Sequence, residues 1–442
     1  MSHTLLFCHL LSLLALGLPV STPAAPLART WQFDLKTAGT YKVQVQHDVQ
    51  GPVPPGTRVI YTLHTRENTI TRDDLYLTLN RPTIPLITDI AQPQKISVVI
   101  SGLPPAALQQ TSVYVYDKNT TFPDAYFDPG KSITLKEVGR IREIFLQPPQ
   151  QIDLALAKLT IDKLIDPAID LDTHLKKIDA MVVRIKTMPD FGVSDTTKML
   201  ALKRYLYEPG EWNNHQPYQY DLDDPMGTKI SNKLLPRYLA SRKGNCVTMP
   251  FLFVILGQRL GIAVAASTAP LHVFVKFTDE AGATHNLETT SGAHPAREVW
   301  YRQQMPMTDQ AIANGIYLQP LTPKQTVAVM ATVLAEHYFE QQEFEKAITI
   351  ADLVLAYYPK HAEAMIIQGS AYSRLLSKHY LEKYQSPDDI PMNQRGHFAY
   401  LSQNNLAWFV KAEALGWREP PKEDEEKYLQ NVKKARQNKI AK

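Results

Sequence analysis

From Arg29 to Asp117 apolar and polar residues take turns along the chain. Alternation runs through TYKVQVQ (Thr40–Gln46), RVIYTL (Arg58–Leu63), KISVVI (Lys95–Ile100) and TSVYVYD (Thr111–Asp117). A period of two sends successive side chains to opposite faces, so each stretch reads as a half-buried strand. Turn clusters such as QGPVPPGT and GLPPA separate them, which predicts a small antiparallel β-sandwich over residues 29–145. From about Ile152 the period lengthens. LALAKLTIDKLI and HLKKIDAMVVRIKTM predict helices up to Met188, and a further helix is expected over Asp195–Leu206. The polar, aromatic-rich stretch EPGEWNNHQPYQYDLDDPMG then reads as a long loop at the rim of a site. Val247 to Leu260 is apolar and of helical length, whereas HVFVKF and THNLETT alternate again around TDEAG and predict a β-hairpin. Beyond Gly315 the pattern is helical. The expected fold class is therefore α+β and multidomain, with boundaries near residues 145–150 and 315.

The first 28 residues stand apart. Leu5 to Leu18, LLFCHLLSLLALGL, is a short apolar run followed by the small residues of PVSTPAAPLA. That length suits a cleaved export signal, because a membrane-spanning helix needs about 20 residues. A periplasmic or secreted location is expected, with no integral span left after cleavage. Composition narrows the partners. Lys and Arg number 47 against 44 Asp and Glu, a net charge of +3, so no concentrated basic surface argues for nucleic acid. The stretch DPGKSIT (Asp128–Thr134) lacks the first glycine of a phosphate loop, Ala125 standing in its place. The two cysteines are Cys8 and Cys246. If Cys8 leaves with the signal, Cys246 is alone and no intramolecular disulfide forms, which in an oxidising compartment favours a buried or a working thiol.

Cys246 follows the turn signal KGN and opens the apolar helix. Pro250 falls in the first turn, where its missing N–H costs little, and Gly261 is a natural left-handed stop. The thiol therefore sits at a helix N-terminus, where free N–H groups and the macrodipole favour a thiolate and can stabilise an oxyanion. In the hairpin, pairing Thr278 with Gly282 across the loop Asp279–Ala281 sets His272 directly opposite Glu288 on one face. A carboxylate against an imidazole orients it and stabilises its charged form, leaving the other ring nitrogen for a thiol. His285 and His294 flank the Glu288 strand, but no Cys/His cluster has zinc spacing. Neither a metal nor a cofactor is expected. Asn213, Asn214 and His215 read as loop residues or cleft lining, and Trp300 and Tyr301 as core between the catalytic and helical regions.

RKGNC before an apolar helix ending in RLGI, then PLHVFV, then NLETTSG, resembles the transglutaminase-like superfamily of papain-type cysteine enzymes. The resemblance implies a nucleophile at Cys246, a base at His272 and an orienting carboxylate at Glu288, in a core spanning residues 150–315. Glu288 stands where that family usually has Asp, and TT follows it instead of a Pro-containing turn; Asn286 is the alternative third member. YDLDDPMG and SNKLLPRYLASRKGN resemble a bacterial subgroup in which this core precedes tetratricopeptide-like helices. A 34-residue spacing supports such helices over residues 316–442: Ala335 and Tyr338 fall in register with Gly369 and Tyr372, and Pro359 closes the unit Ala331–Lys360. Register is lost after Leu376, a helix resumes near Phe398–Leu415, and the tail reads as a charged helix. The implied activity is thiol attack on an amide or ester carbonyl, hydrolysis ahead of acyl transfer, on a peptide, protein or peptidoglycan-linked substrate. The rivals are a non-catalytic scaffold that binds protein partners and a redox-sensing thiol.

Overall fold

A computed structural model describes residues 28–47, 57–75, 86–117, 135–225, 227–305, 307–391 and 394–419. The apolar run at 5–18, the stretch DPGKSIT and the charged tail after residue 419 lie outside the described residues. The four alternating segments lie in β2 (Gly39–His47), β3 (Arg58–His64), β6 (Gln94–Ser101) and β7 (Thr111–Asp117), joined by strands no alternating run marked, β1 (Ala28–Leu35), β4 (Thr69–Leu75) and β5 (Leu86–Ile90), and by a short helix α1 (Pro105–Gln109). They pair antiparallel in two sheets, one ordered β1-β6-β3-β4 and the other β5-β2-β7. The inward positions of both sheets, among them Val43, Val45, Val59, Leu63, Ile96, Val98 and Ile100, share one apolar cluster.

A helical layer follows, with α2 (Leu135–Leu146), α3 (Leu154–Ile165), α4 (Leu171–Lys186) and α5 (Asp195–Tyr207). Asp153, Asp170 and Ser194 cap α3, α4 and α5 by accepting backbone N–H groups of the first turn. Helix α3 is buried along most of its length and carries Lys158 bonded to Asp162 out of contact with solvent. This pair is a strut. Lys158 Nζ also donates to the Lys233 carbonyl at 3.0 Å, and Asp162 Oδ2 accepts from the Leu235 N–H at 2.7 Å. It thereby fixes the segment that enters α6 (Leu235–Ser241). The short strands β8 (Gln219–Tyr220) and β9 (Lys243–Gly244) pair in parallel on either side of α6.

Helix α7 (Thr248–Leu260) is buried from Thr248 through Gly257 on every face, as expected of a helix apolar all round. Gly261, at φ +67°, ends it. The sheet beside it runs β10 (Val264–Ala269), β11 (His272–Thr278), β12 (Thr284–Glu288) and β13 (His294–Pro295), all antiparallel in that order. Two short helices, α8 (Glu298–Gln304) and α9 (Asp309–Ala313), lead to α10 (Pro323–Glu340), α11 (Phe344–Tyr357), α12 (Ala362–Leu376) and α13 (Arg395–Ala414). A capping box of Thr322 and Gln325 with Pro323 in the first turn starts α10. Helix α12 runs into a π-helical turn at Ser377–Leu381, which is where the 34-residue register ends. Buried residues of α2–α7, β10–β12 and α10–α13 share one large apolar cluster, with Ala335, Tyr338, Ala347 and Tyr372 inside it, and Ala269, Phe274, Tyr301, Ala311 and Ile316 form a smaller one. Among the described residues, no helix is long and apolar enough to cross a membrane.

Candidate active site

Cys246 precedes α7 by two residues, and its neighbour Asn245 supplies the helix cap. Asn245 Oδ1 accepts from the Val247 and Thr248 N–H groups at 3.0 and 3.1 Å, and Thr248 Oγ1 accepts from Asn245 N at 3.2 Å. The Cys246 side chain is thus held at the helix tip, half-buried. Gly244 has to lack a side chain, since a Cβ there would meet the Tyr238 ring at 2.5 Å and Thr248 Oγ1 at 2.8 Å. The long polar loop is tied to the same turn. Arg242 donates to the Asn213 carbonyl at 2.8 Å and to that of Gln216, with its guanidinium 5.4 Å from the centre of the Tyr218 ring.

The hairpin forms with a different register from the one expected. Thr278 pairs with Thr284, not Gly282, and Val275 with Leu287, so the loop is Asp279–Ala283. Asp279 explains the longer loop: its Oδ1 accepts from the N–H groups of Ala281 and Ala283, and its Oδ2 bonds His285. A shift of two keeps every side chain on its face, so Glu288 still shares a face with His272. It lies diagonal to His272 instead of directly opposite, a spacing of about 7–8 Å against about 5 Å. The glutamate side chain spans the extra distance: His272 Nε2 and Glu288 Oε2 are 2.9 Å apart.

Glu288 is buried, and both its oxygens are occupied. Oε1 accepts from Thr290 N at 3.0 Å and Thr290 Oγ1 at 2.5 Å; Oε2 accepts from Tyr301 OH at 3.1 Å as well as from His272. Burial works against charge on both members of the pair, and their mutual attraction outweighs it. Burial alone would lower His272; the Glu288 carboxylate and the Cys246 sulfur, which also acts as a hydrogen-bond partner of the ring, lift it to about 10. Burial alone would raise Glu288; His272 and the Thr290 donors bring it below the ordinary carboxylate range. With Nε2 committed to Glu288, Nδ1 is the ring nitrogen left for the sulfur. Cys246 Sγ also lies 3.8 Å from the carbonyl of Leu271, a residue held at φ +53° in the turn between β10 and β11 with its side chain exposed. Lys233, in the segment that enters α6, has its Nζ 2.5 Å from Glu336 of α10.

The structure therefore brings Cys246, His272 and Glu288 together, and it keeps Asn286 apart. Asn286 accepts from Lys276 Nζ at 2.7 Å and donates to the Ala296 carbonyl, so it is not the residue that meets His272. His285 is bound to Asp279, and His294 Nδ1 lies 3.4 Å from Lys203 Nζ. Asn213 is buried and knits its loop, donating to the carbonyls of Tyr205 and Glu208, whereas Asn214 and His215 have left-handed backbones in that loop. Tyr301 is core, as expected, but Trp300 is not: it is 38% exposed, edge-on to the Tyr301 ring. Sequence reading missed the contacts of Thr290 and Tyr301 with Glu288. The TT after Glu288 was the available signal for the first; nothing local marks the second. Among the described residues no group of three or more His, Cys, Asp or Glu side chains is placed to hold a metal ion.

Residues 172–332, from α4 to the middle of α10, match a family model described as the transglutaminase-like superfamily. Two relatives called UPF0162 protein, from two strains of Xylella fastidiosa, are each 26% identical over 223 residues, which is 47% of this chain and 75% of theirs. A solved structure titled as a putative cysteine protease from Cytophaga hutchinsonii is 12% identical, covering 61% of this chain and 82% of that one with a TM-score of 0.20.

Proposed function

We propose that this chain, whose core is similar to the transglutaminase-like superfamily, is a cysteine enzyme that opens amide or ester bonds. The observation carrying this reading is one imidazole shared between a buried carboxylate and a half-buried thiol: His272 bonds Glu288 at 2.9 Å, and the Cys246 sulfur acts on the same ring. Cys246 as thiolate attacks the carbonyl carbon, and the electron pair moves to oxygen beside the N-terminus of α7. The tetrahedral adduct collapses to a thioester as the carbon–nitrogen or carbon–oxygen bond breaks. The His272 imidazolium gives its proton to the leaving group. Neutral His272 then takes a proton from water, whose oxygen attacks the thioester, releasing the acid and restoring Cys246. An amine in place of water gives transfer; hydrolysis is favoured because the thiol is half open to solvent. Glu288 holds the ring and its charge throughout.

The substrate class proposed is a peptide, protein or cell-wall amide. It would be recruited by the N-terminal sheets, read as a β-sandwich, and by the tetratricopeptide-like pairing of α10 to α12. The apolar run at 5–18 supports export to the cell envelope. The test is the pH profile of Cys246 alkylation by iodoacetamide in the native protein. The enzyme predicts rapid reaction near neutral pH that falls by about 100-fold or more in His272→Ala. A thiol that reacts only after unfolding, or equally fast without His272, overturns the reading. Cys246→Ala removes all turnover and leaves the thermal midpoint nearly unchanged, whereas a packing role for the thiol predicts loss of the fold.

A further inference from the structure

We propose that Tyr301 is a positioning residue for this site, fixing the Glu288 carboxylate so that His272 presents Nδ1 to Cys246; this rests on the cysteine-enzyme reading above. Its side chain is fully buried, and its hydroxyl reaches Glu288 Oε2, the same oxygen that takes His272 Nε2. The ring is held by strand β11 itself. Phe274, two residues from His272, stacks on it with centroids 4.2 Å apart, and Trp300 meets its other side edge-on at 5.0 Å. With Thr290 filling Oε1, four donors surround the carboxylate, and it cannot turn without giving up a hydrogen bond. Burial and the Glu288 charge both push the phenol up, so the hydroxyl keeps its proton and always donates toward the carboxylate.

Two consequences follow from sharing Oε2. The donor stabilises the carboxylate as an anion in a buried place, so Glu288 stays charged beside the imidazolium instead of taking its proton. It also fixes the lateral position of that oxygen, which sets the plane of the imidazole. A residue that merely fills space would need the ring and not the hydroxyl.

Tyr301→Phe separates the two, because it keeps the ring stack. The expected result is an acid limb of the Cys246 alkylation profile moved up by about one pH unit, the size set by losing one hydrogen bond to a charged group. The maximal rate falls as well, and the thermal midpoint stays close to that of the native protein. Should Tyr301→Phe fold poorly, 3-fluorotyrosine placed at position 301 gives the opposite sign. Its more acidic hydroxyl is a stronger donor and moves the same limb down. Superimposable profiles for the native protein and the Tyr301→Phe variant, or no shift with the fluorinated ring, overturn the proposal. If His272→Ala responds while Tyr301→Phe does not, only the positioning role falls; if His272→Ala is silent, the enzyme reading falls and takes this role with it.

Discussion

His272, a tenth of its side chain exposed, and the buried His361 carry chemistry that runs in opposite directions. His361, at the entrance to α12, has Thr332 Oγ1 at 2.9 Å from Nε2 and the Tyr358 ring stacked against it at 5.1 Å. Burial in those surroundings pushes it down to about 4. His47, on β2 between Thr111 and Tyr61, is brought to about 4 in the same way. Burial acts on His272 with the same sign, yet Glu288 and the Cys246 sulfur carry it up to about 10. Burial alone makes a neutral histidine held by hydroxyls, which suits a packed joint between elements. A carboxylate at hydrogen-bond distance, with a sulfur on the same ring, makes a charged one, which suits the thiol chemistry proposed above.

The largest effect is expected from Glu288→Gln, which takes from His272 the carboxylate that His361 lacks and leaves it only the Cys246 sulfur. Cys246 alkylation should fall by about 100-fold, and the His272 midpoint, followed by NMR, should drop well below about 10. A midpoint still near 10 breaks the comparison. Thr332→Asp is the converse. It places a carboxylate beside His361 and should raise that midpoint from about 4 to above 6.5, at a stability cost of about 1–3 kcal/mol read in urea.

The pH dependence of stability offers a further test. His272 titrates higher folded than unfolded, so its contribution is full below about pH 6.5 and is lost as pH rises toward about 10. His361 titrates lower folded than unfolded; its contribution is full above about pH 6.5 and is lost as pH falls toward about 4. Urea midpoints should therefore decline on both sides of neutrality, with His272→Ala flattening the alkaline decline and His361→Leu the acid one. The smallest effect is that of Thr332→Val. It removes the hydroxyl partner of His361 and should cost about 1–2 kcal/mol without moving alkylation of Cys246.

Local pattern carried much of the fold. The strand at Thr111–Asp117 matches its alternating run residue for residue, and the helix after Cys246 begins within one residue of the expected start and ends at Gly261. Alternation also fixed which face His272 and Glu288 share, because a face depends only on parity. It could not fix the register, which the Asp279 side chain sets by folding a longer loop. Across the resulting diagonal, the length of the Glu288 side chain brings its carboxylate to His272. Tyr301 was legible as core and illegible as a partner of Glu288. Its contact depends on how β13 and α8 turn back over the sheet, a long-range arrangement with no periodic trace. Trp300 beside it looks equally apolar in sequence, and only packing tells the exposed ring from the buried one.

The two larger apolar clusters bear on how the molecule comes apart. The sheets of β1 to β7 hold their own cluster, whereas the helices from α10 onward share theirs with α3, α7 and the sheet of β10 to β12. Surface shared in this way unfolds as a unit, so calorimetry should resolve a separate endotherm for the N-terminal sheets and a single one for everything beyond. Cutting the chain before α10 would not release a fragment that keeps the Cys246 site folded. It would uncover the flank of α3 and leave Lys233 without Glu336, and the melting of the cysteine's surroundings would follow.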